Sequence, residues 1–455
     1  MGNAITTTIE YDGKENYKTF IKPLFVGKSP LETQGIRIMP NIQSKMQLNN
    51  FSNITKTLKA WTQGFNPSTG TVYTRREIDV YRMGSEIEQG GDEFWQTIYE
   101  QLLASGAEMS DISKSKGKLI EELVVKLWKK GLASDIYRQF WLSDTAKETV
   151  VDGVSTGVAD NNYNAYEGIW KIIFENAAET PTATQIKLFN YDASAVKQVQ
   201  TATMTGQSGS ANLLVEGINY LNTFDTSLTI SNVNFITAHA AALLLRGFVV
   251  TASTTTLIFT STVPGSEKGV ITVVTVLTMA GSVAQTTANT APTALSQDQA
   301  WGLMKTMYAG APAELKSLKK TEKVFQVDGY TYENLLSTYE TKTATAGQVS
   351  TEGGRVQMIN GVEFISFRGV PVLNLDWEND LDADFPHVTG ELPARPYRII
   401  YTKNDNLVLA IDALSSFSKF KMWYNEDQEL NRFRFRIKMG ANYVWNNVMC
   451  VAYEV

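Results

Sequence analysis

Three stretches combine residue types and spacings that chemistry could use. Gly153-Val-Ser-Thr-Gly157 has the G-x-S-x-G spacing of a nucleophile elbow, where a serine on a sharp strand-to-helix turn is activated by a histidine. An elbow needs an apolar strand before the serine and a helix directly after it. Ser155 is instead followed by polar residues, and only His239 and His387 are available as base, so the spacing reads as chance. Asp380, Asp382 and Asp384 alternate as the carboxylates around a hard cation do, with Glu391 at the twelfth position of an EF-hand count. Phe385 stands where that sharp turn requires glycine, and Pro386 follows it. The trio is therefore a weak calcium candidate in what reads as a solvated acidic loop. The third stretch, Asn431 to Met439, alternates strictly. Phe433, Phe435, Ile437 and Met439 face one side, and Arg432, Arg434, Arg436 and Lys438 face the other. A basic face of this kind can meet phosphates, which makes the four cations DNA-facing candidates, or it can pair with Glu426, Asp427 and Glu429 nearby. Neither histidine has a metal-ligand spacing, and no glycine-rich phosphate loop is present. With two histidines and one cysteine in 455 residues, the chain reads as a protein that is not an enzyme and takes no cofactor.

The elements that position these residues must span more than one core. At about 100–200 residues per domain, the length gives two or three. Apolar residues make up 43% and charged residues 19%, the balance of a folded globular chain. Cys450, standing alone, excludes an internal disulfide framework. No apolar run approaches the roughly 20 residues of a membrane span. The N-terminus lacks the basic and apolar regions of a signal peptide. The expectation is a soluble protein made in a cytoplasm, without membrane contact. A net charge of −6 gives no general attraction to nucleic acid, so any such contact must come from a local basic face.

The longest helix is expected from Lys116 to Leu142, with Leu119, Leu123, Leu127, Leu132, Ile136 and Phe140 at helical spacing. Residues 1–34 are weakly periodic but rich in apolar side chains, Tyr17 and Phe20 among them, which favours an arm ordered against a neighbour over a solvated tail. Residues 35–85 read as two alternating strands around a long tip, Asn49 to Thr71. A tip of that length is uncommon in a compact domain and usually functional. Its Phe51, Leu58, Trp61 and Phe65 would be costly to leave in water, so they are candidate inter-subunit contacts with Tyr17 and Phe20. A polar loop is expected over 145–163 and a helix from Ala165 to Ala178. From 198 to 290 only Glu216, Asp225, Arg246, Glu267 and Lys268 are charged, and Thr, Ser, Ala and Val dominate. That shift reads as an inserted α+β domain, with a helix at Asn232 to Leu245 and strands at 247–253, 256–262 and 270–278. Leu244, Phe248, Val250, Ile258 and Phe259 are its expected centre. An amphipathic helix at Gln297 to Ala309 follows, then strands near 323–327, 362–367, 370–373, 397–401 and 407–411, and a last strand over 444–455.

The order of these pieces resembles the major capsid protein of tailed bacteriophages, the HK97-like fold, and most closely that of Bacteroidetes phages including the crAss-like group. Met39-Pro-Asn-Ile-Gln-Ser-Lys-Met-Gln-Leu48, Gly64-Phe-Asn-Pro67 and Arg75-Arg-Glu-Ile-Asp-Val80 resemble the strands and tip of that family's extended loop. Asp92-Glu-Phe-Trp-Gln-Thr97 resembles the segment after it. Ala165-Tyr-Glu-Gly-Ile-Trp170 and Phe367-Arg-Gly-Val-Pro-Val372 are similar to segments of its axial domain. Asn404-Asp-Asn-Leu-Val-Leu409 and Phe433-Arg-Phe-Arg-Ile-Lys-Met-Gly440 are similar to the return into its peripheral domain. The resemblance implies an α+β chain in seven parts: an N-terminal arm (1–34), an extended β-loop (35–85) and a peripheral domain with a long spine helix (86–144). The axial domain follows in two parts, 145–197 and 291–412, around the inserted domain (198–290), with return strands at 413–455. It further implies a subunit that self-assembles into hexamers and pentamers, closing an icosahedral head around double-stranded DNA. Portal, scaffold and accessory or decoration proteins would be its partners. Its place would be the virion, after assembly in the host cytoplasm. The alternatives are a phage tail component, an encapsulin-like shell and, furthest, a serine hydrolase using Ser155.

Overall fold

A computed structural model describes residues 8–11, 34–51, 63, 73–90, 119–151, 154–346, 357–359, 362–377, 380–381, 384–385, 393–412, 419–425, 427–428 and 430–455. The chain is mixed α+β. It divides into two compact units: Met1–Thr145 with Ala165–Glu175 and Asn404–Trp445, and Ala146–Asn164 with Asn176–Lys403 and Asn446–Val455.

The first unit draws its sheet from both ends of the chain. Its strands are β1 (Thr8–Tyr11), β2 (Ile36–Met39), β5 (Tyr81–Gly90), β22 (Leu407–Ile411), β23 (Lys419–Asn425) and β24 (Leu430–Tyr443), in the order β1-β23-β24-β22-β2 with β5 also on β24. A two-stranded pair, β3 (Lys45–Phe51) and β4 (Tyr73–Asp79), stands beside it. The alternation in β24 does what the sequence requires of it. Phe433, Phe435, Ile437 and Met439 are buried and face helix α1 (Leu119–Leu142), whose Trp128 lies edge-on to Phe420 and Phe433 at 4.8 and 5.5 Å. Trp128, Leu132, Ile136 and Phe140, four residues apart, form the buried stripe of α1. A short helix, α2 (Ile169–Asn176), buries Ile169, Trp170 and Ile173. It enters through Gly168, where a Cβ would come within 2.7 Å of the Ser143 backbone nitrogen. Ala165–Glu175 groups with Met1–Thr145 and Asn404–Trp445 in this unit.

The second unit is built on an eight-stranded sheet in the order β18-β19-β20-β17-β21-β25-β9-β8. These are β8 (Ala177–Ala178), β9 (Ile186–Asn190), β17 (Lys323–Val327), β18 (Gln357–Ile359), β19 (Val362–Phe367), β20 (Val370–Asn374), β21 (Arg398–Lys403) and β25 (Met449–Tyr453). The central strands β17 and β25 are buried along their whole length, as strands covered on both faces are. Helices α4 (Gln299–Gly310), α5 (Ala313–Ser317) and α6 (Gly329–Ala346) belong to the same unit. Trp301 of α4 packs edge-on to Tyr339 and Phe367, and Tyr308 stacks on Tyr401. The final strand is shorter than the expected 444–455. It pairs with β21 and β9 in the second unit, while β23 and β24 lie in the first.

Residues 145–163 are not a loop: β6 (Glu148–Val151) and β7 (Val154–Ala159) pair antiparallel. Between 199 and 287 lie seven strands, where the composition suggested three. They are β10 (Val199–Thr205), β11 (Ser210–Val215), β12 (Ile218–Thr223), β13 (Phe248–Ala252), β14 (Thr256–Ser261), β15 (Thr272–Thr275) and β16 (Ala280–Thr287). They form two sheets, β13-β14-β10-β16 and β12-β11-β15, that pair only with one another. Helix α3 (Leu228–Leu245) is capped by Ser227, whose side chain accepts from the Ile230 N–H. Ala202, Leu213, Phe235, Phe248 and Phe259 are among the residues at the centre of this piece. Two positions expected there are displaced by one residue: Leu243 and Leu257 point inward, whereas Leu244 is 56% exposed and Ile258 half-buried. Helix α3 also has the length and mean hydropathy, 1.4, of a membrane span, although only 22% of it is buried. Asn, Ser and His interrupt its apolar residues, so no unbroken apolar run marks it in the sequence.

Candidate functional site

The surface with most chemistry is the side of the first-unit sheet turned away from α1. Directly paired residues in adjacent strands share a face, so register fixes its membership. Arg432 lies opposite Glu88 and Trp423, Arg434 opposite Glu86 and Lys421, Arg436 opposite Gly84 and Lys419, and Lys438 opposite Arg82. Arg432 Nε donates to Glu88 Oε1 at 2.7 Å and Arg434 Nε to Glu86 Oε1 at 2.6 Å. The Arg434 guanidinium and the Lys421 ammonium both lie over the Trp423 ring, 5.5 and 5.4 Å from its centroid. Lys438 pairs with the buried carboxylate of Asp412 at 2.9 Å and donates to the Gln43 carbonyl at 2.9 Å. Carboxylates met by Arg432 and Arg434 thus come from β5, more than 300 residues earlier, and Arg432 also donates to Gln428 in the turn that sequence proximity suggested. Glu426 and Glu429 themselves lie outside the described residues. A signal was present: Glu86-Ile-Glu88 alternates in the complementary sense to Arg432-Phe-Arg434.

The β3–β4 pair is the second surface. Leu48 and Ile78 are buried against Val408, Ala410 and Val444, which anchors the base of the hairpin on β22. Lys45 pairs with Glu77, and Arg75 reaches the same carboxylate at 2.7 Å. The hydrogen bond to Glu77 lifts the Lys45 ammonium above its ordinary value, while Lys45 holds the Glu77 carboxyl below its own. Arg76 lies over the Tyr443 ring at 3.7 Å. Burial pushes the Tyr443 hydroxyl up to about 12. Phe51 stands opposite Tyr73 at the far end of the pair. Leu58, Trp61, Phe65, Tyr17 and Phe20 lie outside the described residues.

The remaining candidates are not drawn together. Ser155 sits inside strand β7, opposite Val150, and the next helix begins only at Ile169. No strand-to-helix turn exists there, so the elbow is absent. His239 contacts the Leu221 carbonyl at 3.2 Å and packs edge-on to Phe235 and Tyr220, while His387 lies outside the described residues. Asp380 and Asp384 fall on helical positions rather than an open cation loop, and Asp382 is outside the described residues. The Asp384 carboxylate accepts from the Tyr163 hydroxyl at 2.5 Å, and its carbonyl accepts from Lys147. Among the described residues no group of three or more His, Cys, Asp or Glu could hold a metal.

No protein-family model matches this sequence, and no curated protein does. Solved structures similar to the chain include phage capsids and an encapsulin, all at low identity. The procapsid of satellite phage P4 with its Sid protein is 8% identical, over 96% of this chain and 97% of that one, with a TM-score of 0.39. The capsid of Ralstonia phage GP4 is 9% identical, over 100% and 94%, with a TM-score of 0.37. The SrpI encapsulin of Synechococcus elongatus PCC 7942 is 8% identical, over 96% and 94%, at 0.37.

Proposed function

We propose that this chain is a shell-forming capsid subunit of a tailed bacteriophage with the HK97-like fold, of the kind found in Bacteroidetes phages. Its work is self-association into hexamers and pentamers that close a head around double-stranded DNA, with portal, scaffold and decoration proteins as partners. The virion is its destination, after assembly in the host cytoplasm. The observation that supports this reading best is the course of the chain through the first unit. A 24-residue helix lies on a sheet made from both chain ends, beside a β-hairpin whose strands are separated by a tip of more than 20 residues. That arrangement follows the order of arm, extended loop, spine helix and return strands in the sequence motifs quoted above. Residues 198–290 are read as an inserted domain carried by the second unit. Closed shells need several non-identical interfaces per subunit. On this reading the arm, with Tyr17 and Phe20, and the hairpin tip, with Phe51, Leu58, Trp61 and Phe65, supply two of them.

Negative-stain images of the expressed chain test the reading: closed shells are expected, whereas tubes point to a tail component and discrete particles to neither. Replacing Asn50–Thr71 by a short turn should leave a cooperatively folded subunit that builds no closed particle. Normal shells from that deletion would show that the hairpin tip has no part in assembly.

A further inference from the structure

Helix α3 carries no Asp, Glu, Lys or Arg along its 18 residues. Ser231, Asn232, Phe235 and Leu243 are its buried side. The opposite side is open: Ile230, Val233, Leu244 and Leu245 are 43–70% exposed, with Thr237 and Ala241 exposed between them. A surface helix of a soluble domain ordinarily puts charge on that side, and a helix apolar all round is covered all round. The rest of the domain offers little charge either. Of the five charged residues between 198 and 290, Glu216, Arg246 and Lys268 have side chains no more than 15% exposed, which leaves Asp225 and Glu267. The polar groups on the open side are already served. Thr237 Oγ1 donates to the Val233 carbonyl at 2.9 Å, and Asn234 Nδ2 donates to the Asp225 carboxylate at 3.2 Å. Covering the stripe therefore strands neither donor.

We propose that this side of α3 forms a two-fold contact with α3 of a second copy of the chain, antiparallel and centred on Thr237. A two-fold contact sets each patch against itself, so any charge in it would meet its own sign. This stripe has none. Its sizes also complement one another. At about 100° per residue, Ile230, Val233, Ala241 and Leu244 all fall within about 40° of Thr237 around the helix. Antiparallel pairing sets Val233 of one copy level with Ala241 of the other, a branched side chain against a small one. Ile230 of one copy comes level with Leu244 of the other, and Thr237 meets Thr237. The stripe is about 23 Å long and about 10 Å across, well under the roughly 800 Å² a side of a stable complex. The contact is therefore weak between free chains and gains where other contacts hold two copies together. Nothing in this pairing depends on the chain forming a shell.

An introduced cysteine tests it in the full-length chain, since the native Cys450 is fully buried. Axes about 8–10 Å apart, with Cα atoms about 2.3 Å from each axis, put the two Thr237 Cα atoms about 5 Å apart at the wider spacing. That is within the reach of a disulfide. Under oxidised glutathione, Thr237→Cys should give several-fold more disulfide-linked dimer than Gln207→Cys, an exposed position in the β10–β11 turn. Val233→Cys and Ala241→Cys should each stay monomeric alone, because like positions then lie about 12 Å apart along the pair. Mixed together, they should form the dimer. Ala241→Asp in the Thr237→Cys chain should abolish it, and Leu244→Asp serves if that variant folds poorly. No more dimer from Thr237→Cys than from Gln207→Cys at every concentration overturns the proposal, as does equal dimer from Val233→Cys alone. A Thr237→Cys thiol that does not react with a maleimide in dilute, reduced chain overturns it by showing that the chain covers its own stripe. So does sedimentation of wild type with phosphatidylcholine/phosphatidylglycerol vesicles that Ala241→Asp abolishes, which would make a lipid surface the occupant. Shell formation is scored separately: shells without the Thr237→Cys dimer overturn only this pairing, and the dimer without shells overturns only the capsid reading.

Discussion

Single residues show where this chain tolerates charge. Between 198 and 290 it has five charged residues, and three of them, Glu216, Arg246 and Lys268, meet at one place with Glu148 of β6. Arg246 pairs with Glu148, and Lys268 donates to the Arg246 carbonyl at 3.1 Å. The Glu216 side chain, 1% exposed, has Lys268 at 3.7 Å and no hydrogen bond to either oxygen. Its carboxyl is raised above the ordinary 4.5, first by burial and then by Glu148, against the opposing pull of Lys268 and Arg246. A carboxylate raised in the folded state opposes folding when ionised. That penalty is absent below the ordinary value and complete above the raised one. Glu216→Gln should therefore raise the thermal midpoint at pH 8, and the gain should fade as the pH is lowered toward 4.5. A lower midpoint at pH 8 would mean that the ion pair with Lys268 outweighs the burial of the charge.

At the scale of elements, the passage from β4 to β5 depends on one small residue in a strand far away in sequence. β4 ends at Asp79 in the hairpin pair, and β5 begins at Tyr81 in the main sheet, with Val80 alone between them. The crossing passes over Gly440 in β24, where a Cβ would overlap the Asp79 carbonyl oxygen. Backbone on both sides leaves no flexible side chain to give way. Gly440→Ala should destabilise the first unit by about 1–3 kcal/mol, the usual cost of overpacking. A urea melt reads this as a lowered midpoint at unchanged slope. An unchanged midpoint would mean that the hairpin base can shift without loss.

For the molecule as a whole, the organising question is whether residues 198–290 fold by themselves. Their strands pair only among themselves, and their core is their own. The ends meet in a single bridge: Val196 N–H donates to the Thr290 carbonyl at 3.0 Å, and Thr290 N–H to the Val196 carbonyl at 3.3 Å. Two residues that exchange both hydrogen bonds are the pair that closes a two-residue hairpin. Replacing Lys197–Asn289 with Asn-Gly should therefore leave the remainder soluble and cooperatively folded. The cost is the Arg246–Glu148 pair and the Arg395 contact with the Thr262 carbonyl. The excised piece alone should give a dispersed amide spectrum in solution. An insoluble remainder together with an unfolded piece would show that the two share one core.

What the sequence determined by itself was local and periodic. Alternation placed Phe433 to Met439 on one face of a strand and the cations on the other, because a strand reverses its side chains at every residue. A four-residue apolar spacing placed Trp128, Leu132, Ile136 and Phe140 on one stripe of a helix. Threonine- and alanine-rich strands such as β10 and β16 escaped notice: the inward residues of β10 are Gln200, Ala202 and Met204, only one of them a large apolar side chain, and β16 buries none of its residues fully. Helix and strand phase was legible only to within a residue, which is why Leu243 and Leu257 took the places expected of Leu244 and Ile258. Tertiary structure decided everything that required partners distant in sequence. Glu86 and Glu88, distant in sequence, meet Arg434 and Arg432; Gly440 makes room for Asp79; and β25 passes to the second unit while its neighbours in sequence remain in the first. Each of these is a question of which strand lies beside which, and a repeat of two or of 3.6 residues says which face a side chain takes but not what stands opposite it.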